Sequence, residues 1–311
     1  MRNLAVRGSR RTSGQCWCSK CGVGRIWMSG EATRILVMVD GLPVGGTERQ
    51  VVALLKGLQG NGRFRAFLAV LDRGGQLEAE AVQFSAGLCA VRRVSRLDIM
   101  PAFAAIREAK RAGAQLIHTF GWMSGVAGLV AARALRRPII NGSIRGTPPV
   151  LRVRERLSRW CALRSNVIVA NSTAGLEAYG VGGHPKARVI ANGLDFTRFA
   201  NVQPEAYDRP TICMVANFNQ YKDHETVVRA LPLIRQVVPQ AQLVFVGNDC
   251  GTMATTRALV GQLGLDAAVR FVTHVTQPEP VVAGSDVCVL MSPEGEGLSN
   301  AVLEYMVQGK A

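Results

Sequence analysis

Two carboxylates, Glu296 and Glu304, stand with seven residues between them in the run Glu294-Gly295-Glu296-Gly297-Leu298-Ser299-Asn300-Ala301-Val302-Leu303-Glu304-Tyr305-Met306. The run reads as a loop that enters a helix. It follows Asp286-Val287-Cys288-Val289-Leu290, an apolar stretch expected to be a buried strand of a parallel sheet. The loop therefore sits at a strand's carboxyl end, where open α/β sheets bind ligands. Gly297 leaves the backbone uncovered, Ser299 or Asn300 can cap the helix, and the first helical N–H groups face the crevice. A ligand carrying phosphate and hydroxyls fits such a place. Lys222, on the loop after the strand at 211–215, either supplies a charge suited to a diphosphate or is a surface lysine.

The elements that must position these groups alternate strand and helix along the chain. Strands are expected at 34–39, 66–71, 88–91, 115–122, 138–141, 166–170, 211–215, 242–249, 269–273 and 286–290. Helices fall between them, at about 101–111, 124–135 and 225–237 among others. Gly45-Gly46 opens the first helix, so its backbone N–H groups can face a ligand closely. The spacing there is neither the dinucleotide fingerprint nor a Walker loop. His118 lies on the strand that ends at Gly121-Trp122, either delivered to the crevice or structural. Arg145, on the exit loop of the strand at 138–141, either grips a phosphate or carboxylate in bidentate fashion or belongs to the basic surface. Asn171 and Ser172 read as structural, with Ser172 capping a helix. Pro204 to Pro210 reads as an interdomain linker.

A chain of 311 residues holds two ordinary domains. The expected organisation is a basic disordered tail over 1–32, one Rossmann-like domain over 33–200 and a second over 201–311. Charge is uneven: 1–30 carries six Lys/Arg and no acid, while 201–311 carries seven against 11 acids. Nine arginines crowd into 133–164. That patch suits anionic lipid, a phosphorylated acceptor or nucleic acid, or is simply a solvated surface. No stretch of about twenty residues is free of charge and polar breaks, so no membrane span is expected. Cys89, Cys161, Cys213 and Cys288 read as small core residues. Cys16, Cys18 and Cys21 lack a fourth ligand at metal-finger spacing.

Glu296 and Glu304 in this setting resemble the E-x7-E motif of retaining glycosyltransferases of the GT-B fold, in particular family 4. Arg188-Val189-Ile190-Ala191-Asn192-Gly193-Leu194-Asp195 with Phe199 is similar to the segment that closes that family's first domain, and Gly45-Gly46-Thr47-Glu48 to its first loop. The resemblance implies two Rossmann-like doubly wound domains facing a cleft. It implies transfer of a sugar from a nucleoside diphosphate to a hydroxyl, by front-face attack with retained configuration, in which the leaving phosphate can take the acceptor proton. Glu296 and His118 become the catalytic residues. Lys222, Asn217, Gly297, Leu298, Ser299, Asn300 and Glu304 become the donor side, with Glu304 on the ribose and Val272 near the nucleobase. Gly45, Gly46 and Arg145 fall to the acceptor side. Asn217, or Asn219, stands where many members carry an arginine beside the lysine. No metal or other cofactor is expected, and no nucleic acid. The expected setting is cytoplasmic, peripheral at the inner membrane face, with a lipid-linked glycan as one acceptor and products in cell-surface polysaccharide, lipopolysaccharide or glycolipid. The family continues past the motif helix with a further strand and helices, so the second domain is expected to be truncated. A non-catalytic sugar-nucleotide binder and a sugar-nucleotide epimerase of the same fold are the alternatives.

Overall fold

The computed structural model describes residues 31–89, 91 and 98–310. The tail through residue 30, with Cys16, Cys18 and Cys21 and the expectation of disorder, lies outside the described residues.

The first half forms strands β1 (Thr33–Gly41), β2 (Phe64–Asp72), β3 (Leu88–Cys89), β4 (Leu116–Phe120), β5 (Ile139–Ile144), β6 (Gly146–Thr147), β7 (Val167–Ala170) and β8 (Ala187–Val189). Between them lie helices α1 (Gly46–Asn61), α2 (Glu78–Gln83), α3 (Met100–Arg111), α4 (Trp122–Leu135), α5 (Val153–Arg164) and α6 (Thr173–Ala178). All these strands but β6 make one seven-stranded parallel sheet in the order β3-β2-β1-β4-β5-β7-β8. Helices cover both faces, which is why β1 is apolar at every position from Ile35 to Val39 rather than alternating. Side chains still alternate in direction: Leu36 and Met38 join the core under α3 to α5, whereas Ile35, Val37 and Val39 join the core under α1. Each such buried aliphatic contributes about 1.5–3 kcal/mol over an exposed one. The small-residue run in α4 lets that helix lie close on the sheet. A Cβ at Gly128 would come 2.5 Å from Thr119 Cγ2, so only glycine allows the approach.

The second half contributes β9 (Thr211–Val215), β10 (Gln242–Val246), β11 (Val269–Val272) and β12 (Val287–Cys288), a parallel sheet in the order β11-β10-β9-β12. Helices α7 (His224–Val237), α8 (Met253–Gln262), α9 (Glu279–Gly284) and α10 (Asn300–Val307) accompany it. Asp223 caps α7 by accepting from Thr226 N at 2.9 Å. The ring of His224, buried, stacks on Phe218 at 4.0 Å between centroids. A third, two-stranded sheet was not expected. Strand β13 (Gly295–Glu296) pairs antiparallel with β6, joining the two halves by backbone.

Candidate active site

Residues just beyond the carboxyl ends of strands from both sheets face each other across a cleft of about 460 Å³. From the first half come Val44 to Gly46 after β1, Arg145 after β5, Asn171 after β7 and Asn192 after β8. From the second come Asn217 after β9, Gly247 and Asn248 after β10, Lys222, Glu296, and the segment leading into α10. That is where an open α/β sheet offers backbone N–H groups and loop side chains to a ligand.

At one end Lys222 Nζ forms an ion pair with Glu296 and donates to Ser292 Oγ at 3.0 Å. The lysine is presented by a tight turn in which Lys222 N donates to Asn219 O and Tyr221 N to Asn219 Oδ1, both at 3.0 Å. Glu296 is presented by the β6–β13 ribbon, and Thr147 Oγ1 donates to its carbonyl at 2.8 Å. The next residue must be small: a Cβ on Gly297 would meet Asn171 Oδ1 at 2.7 Å and Arg145 O at 3.0 Å. The Glu296 side chain remains one-third exposed, so this pair stays within reach of solvent and ligand.

At the other end Glu304, on α10, accepts from Arg198 Nη1 at 3.0 Å. Arg198 comes from a 3-10 turn, Phe196–Phe199, and its Nη2 is paired with Glu279 of α9. All three side chains are largely buried. Burial raises the Glu304 carboxyl above its ordinary value, even against the Arg198 charge, and Glu279 adds to the rise. Arg49, on α1, is nearby; it is paired with Glu80 at 3.2 Å and donates to the Thr276 carbonyl.

Amide side chains hold the two walls together. Asn300 Nδ2 donates to Gly46 O at 2.8 Å, and its Oδ1 accepts from Asn192 Nδ2 at 2.8 Å and from Gln50 Nε2 at 3.2 Å. Asn192 Nδ2 also donates to Leu298 O at 2.8 Å, and Asn171 Nδ2 to Leu298 O at 3.3 Å. Asn192 and its neighbours are anchored to α1 through Gln50 to Gly193 and Lys56 to Asp195.

Ten of the expected site residues line this cleft: Glu296, Glu304, Lys222, Asn217, Leu298, Ser299, Asn300, Gly45, Gly46 and Arg145. Three do not. His118 lies two residues before the end of β4, and its ring packs on Phe120 at 4.4 Å rather than entering the cleft. Its Nε2 is buried without a hydrogen-bond partner. Burial, with Arg145 adding, holds the ring's pKa down to about 3, so it is neutral at physiological pH. Val272 ends β11 and packs, partly buried, against the core of the second sheet; Val275, past the turn, reaches the cleft instead. Gly297 sits behind the lining, against Asn171. Ser299 is at the α10 cap position but makes no side-chain capping bond, and Asn300 is spent across the cleft. Ser172 does cap α6, accepting from Gly175 N at 3.0 Å. The sequence reading missed Arg198, Asn192 and Gln50, and it gave Asn171 no part in the cleft. The Asn192-Gly193-Leu194-Asp195 segment was the available signal for the first two.

Comparison with known proteins agrees with this architecture. Residues 209–311 match the family model of group 1 glycosyl transferases, and residues 44–198 match that of glycosyltransferase family 4. A search of curated protein sequences found no match. Among solved structures, the chain is similar to Anabaena Alr3699/HepE in complex with UDP and glucose, at 18% identity and a TM-score of 0.76, covering 89% of this chain and 79% of that one. It is also similar to sucrose-phosphate synthase from Thermosynechococcus elongatus, at 20% identity and a TM-score of 0.70, covering 89% and 80%. A third is TarM of S. aureus, at 9% identity and a TM-score of 0.70, covering 89% and 84%. Two family models placed in order over the two sheets, with GT-B neighbours spanning both, carry the conclusion that this chain belongs to the family 4-like glycosyltransferases of the GT-B fold.

Proposed function

We propose that the protein moves a sugar from a nucleoside diphosphate to a hydroxyl acceptor with retention of anomeric configuration. The observation that carries this reading is the presence of Lys222, Glu296 and Glu304 in one interdomain cleft. As the bond from the anomeric carbon to the diphosphate oxygen breaks, negative charge grows on the phosphate and positive charge on the sugar ring. Lys222 swings from Glu296 to the phosphate, with the N–H groups at the start of α10 beside it. Glu296, released from the lysine, orients the sugar. The acceptor oxygen attacks the same face, and its proton passes to the departing phosphate oxygen. Glu304 holds the ribose hydroxyls through the oxygen that Arg198 leaves free. His118 is assigned no proton transfer.

We place the reaction in assembly of cell-surface polysaccharide, lipopolysaccharide or glycolipid, on the cytoplasmic side of a membrane. No helix among the described residues is long and apolar enough to span one. Helix α4 packs between α3 and α5; α3 exposes Met100 and Phe103, and α5 exposes Val153 and Trp160 along with Arg154 and Arg156, next to Arg152. Exposed apolar side chains on a face that also carries arginines suit an anionic lipid surface. Flotation that is equal with anionic and neutral vesicles would remove this placement.

The deciding experiment mixes the protein with a panel of nucleotide sugars, with and without candidate hydroxyl acceptors, and follows the nucleoside diphosphate released and the anomer formed. Acceptor-dependent release with the donor's anomeric configuration is expected. Epimerised donor without release would make the protein an epimerase, and binding without either would make it a sugar-nucleotide binder.

A further inference from the structure

Four cations line the cleft: Arg49, Arg145, Arg198 and Lys222. Three have a carboxylate partner, namely Glu80 for Arg49, Glu279 and Glu304 for Arg198, and Glu296 for Lys222. Arg145 has none among the described residues. Its Nε donates to the Gly142 carbonyl at 2.9 Å and its Nη1 to Asn192 Oδ1 at 3.2 Å. One face of the guanidinium lies over the Phe120 ring, 5.2 Å from its centroid. Nη2 has no hydrogen-bond partner among the described residues. A partly buried charge with neutral neighbours is costly, and a counter-charge from a ligand removes that cost.

Asn192 indicates which ligand group supplies it. The amide that receives Arg145 through Oδ1 gives its Nδ2 to Leu298 O and Asn300 Oδ1. The guanidinium is thus one side chain away from the amino end of α10, where the proposed function puts the diphosphate. We propose that Arg145 grips the donor diphosphate from the first-domain wall of the cleft, opposite Lys222, rather than contacting the acceptor. The inference rests on the donor reading given above. Its consequence is that the diphosphate site is split between the two domains, with a point charge on one wall and a forked, planar donor on the other. Burial lowers the Arg145 pKa to about 10, so the group stays protonated at pH 7. Nearby Asn217 is neutral and is held by the Val44 carbonyl at 3.3 Å and Asn248 N at 2.9 Å, so it does not share this task.

The test measures binding of UDP, GDP and ADP, and of the matching nucleosides, to the wild type, Arg145→Ala and Arg145→Lys by calorimetry, with melting temperatures as a fold control. The expected result is that Arg145→Ala weakens the preferred diphosphate about 10- to 100-fold, as loss of a charge-assisted contact does, and leaves the nucleoside unchanged. Arg145→Lys should recover part of the loss. Undiminished diphosphate binding with a raised acceptor KM would overturn the inference and hand Arg145 to an anionic acceptor. Equal weakening of nucleoside and diphosphate would reduce it to a structural residue. A wild type that binds none of the diphosphates would overturn the donor reading itself, together with this inference.

Discussion

Glu296 and Glu304 belong to one loop-and-helix segment, yet the first meets a lysine in a half-open pocket and the second an arginine inside a buried triad. The Glu296 side chain is 33% exposed, against 11% for Glu304 and 5% for Glu279. Lys222 is as buried as Arg198, but Glu296 keeps contact with water while paired and so does not become a fully buried, uncompensated charge when it sheds its lysine. At the Arg198 end neither carboxylate can lose its partner without leaving a buried charge uncompensated. The difference teaches that two acids of one motif are placed for unlike work: one stays within reach of a ligand, and the other fastens α10 to Arg198 in the last turn of the first domain, which also holds α9 through Glu279.

Replacing Lys222 by Ala sharpens that contrast most. It should lower kcat about 10²- to 10³-fold by removing charge stabilisation of the leaving group, while urea unfolding shifts by less than about 1 kcal/mol. An equally large stability loss there and at Arg198 would break the comparison. Arg198→Ala comes next and acts on stability, by about 3–5 kcal/mol at neutral pH. In that variant burial still holds the folded pKa of Glu304 above the unfolded value. Its stability is therefore fullest below about pH 4 and is lost as pH rises through the folded value. The deficit against wild type should be larger at pH 8 than at pH 4.5, as read from urea midpoints. The smallest effect belongs to Thr147→Val, which deletes the hydroxyl contact to the Glu296 carbonyl. One neutral hydrogen bond, about 1 kcal/mol, should lower kcat/KM about fivefold and leave the Arg198 end untouched.

Much of this arrangement was legible because it is local. The apolar run at 286–290 followed by a glycine-rich acidic loop gave a strand end and a helix start, and β12, the loop and α10 lie there. Lys222 was legible for the same reason, being a cation on a strand-exit loop. Arg198 was not, since its two carboxylates are 81 and 106 residues away in the chain; the adjoining Asn192-to-Asp195 segment marks the place but not the partners. The β6–β13 ribbon was equally silent, because two-residue strands leave no periodicity. His118 was read correctly onto its strand but wrongly into the cleft. Its ring packs on Phe120 within the first domain, and alternation along a strand decides direction only when the far side is known. Val272 failed similarly, because it is the turn after β11 that reaches the cleft and not the strand's last residue.

The β6–β13 ribbon has a mechanical corollary. Its second-domain strand ends in Glu296 itself, so a hinge that parts the lobes must either unzip that ribbon or drag the acid away from its lysine. Where the ribbon holds, loosening the seam between lobes and separating Glu296 from Lys222 are a single movement, and a protein caught ajar would be one whose ion pair has already been pulled out of register.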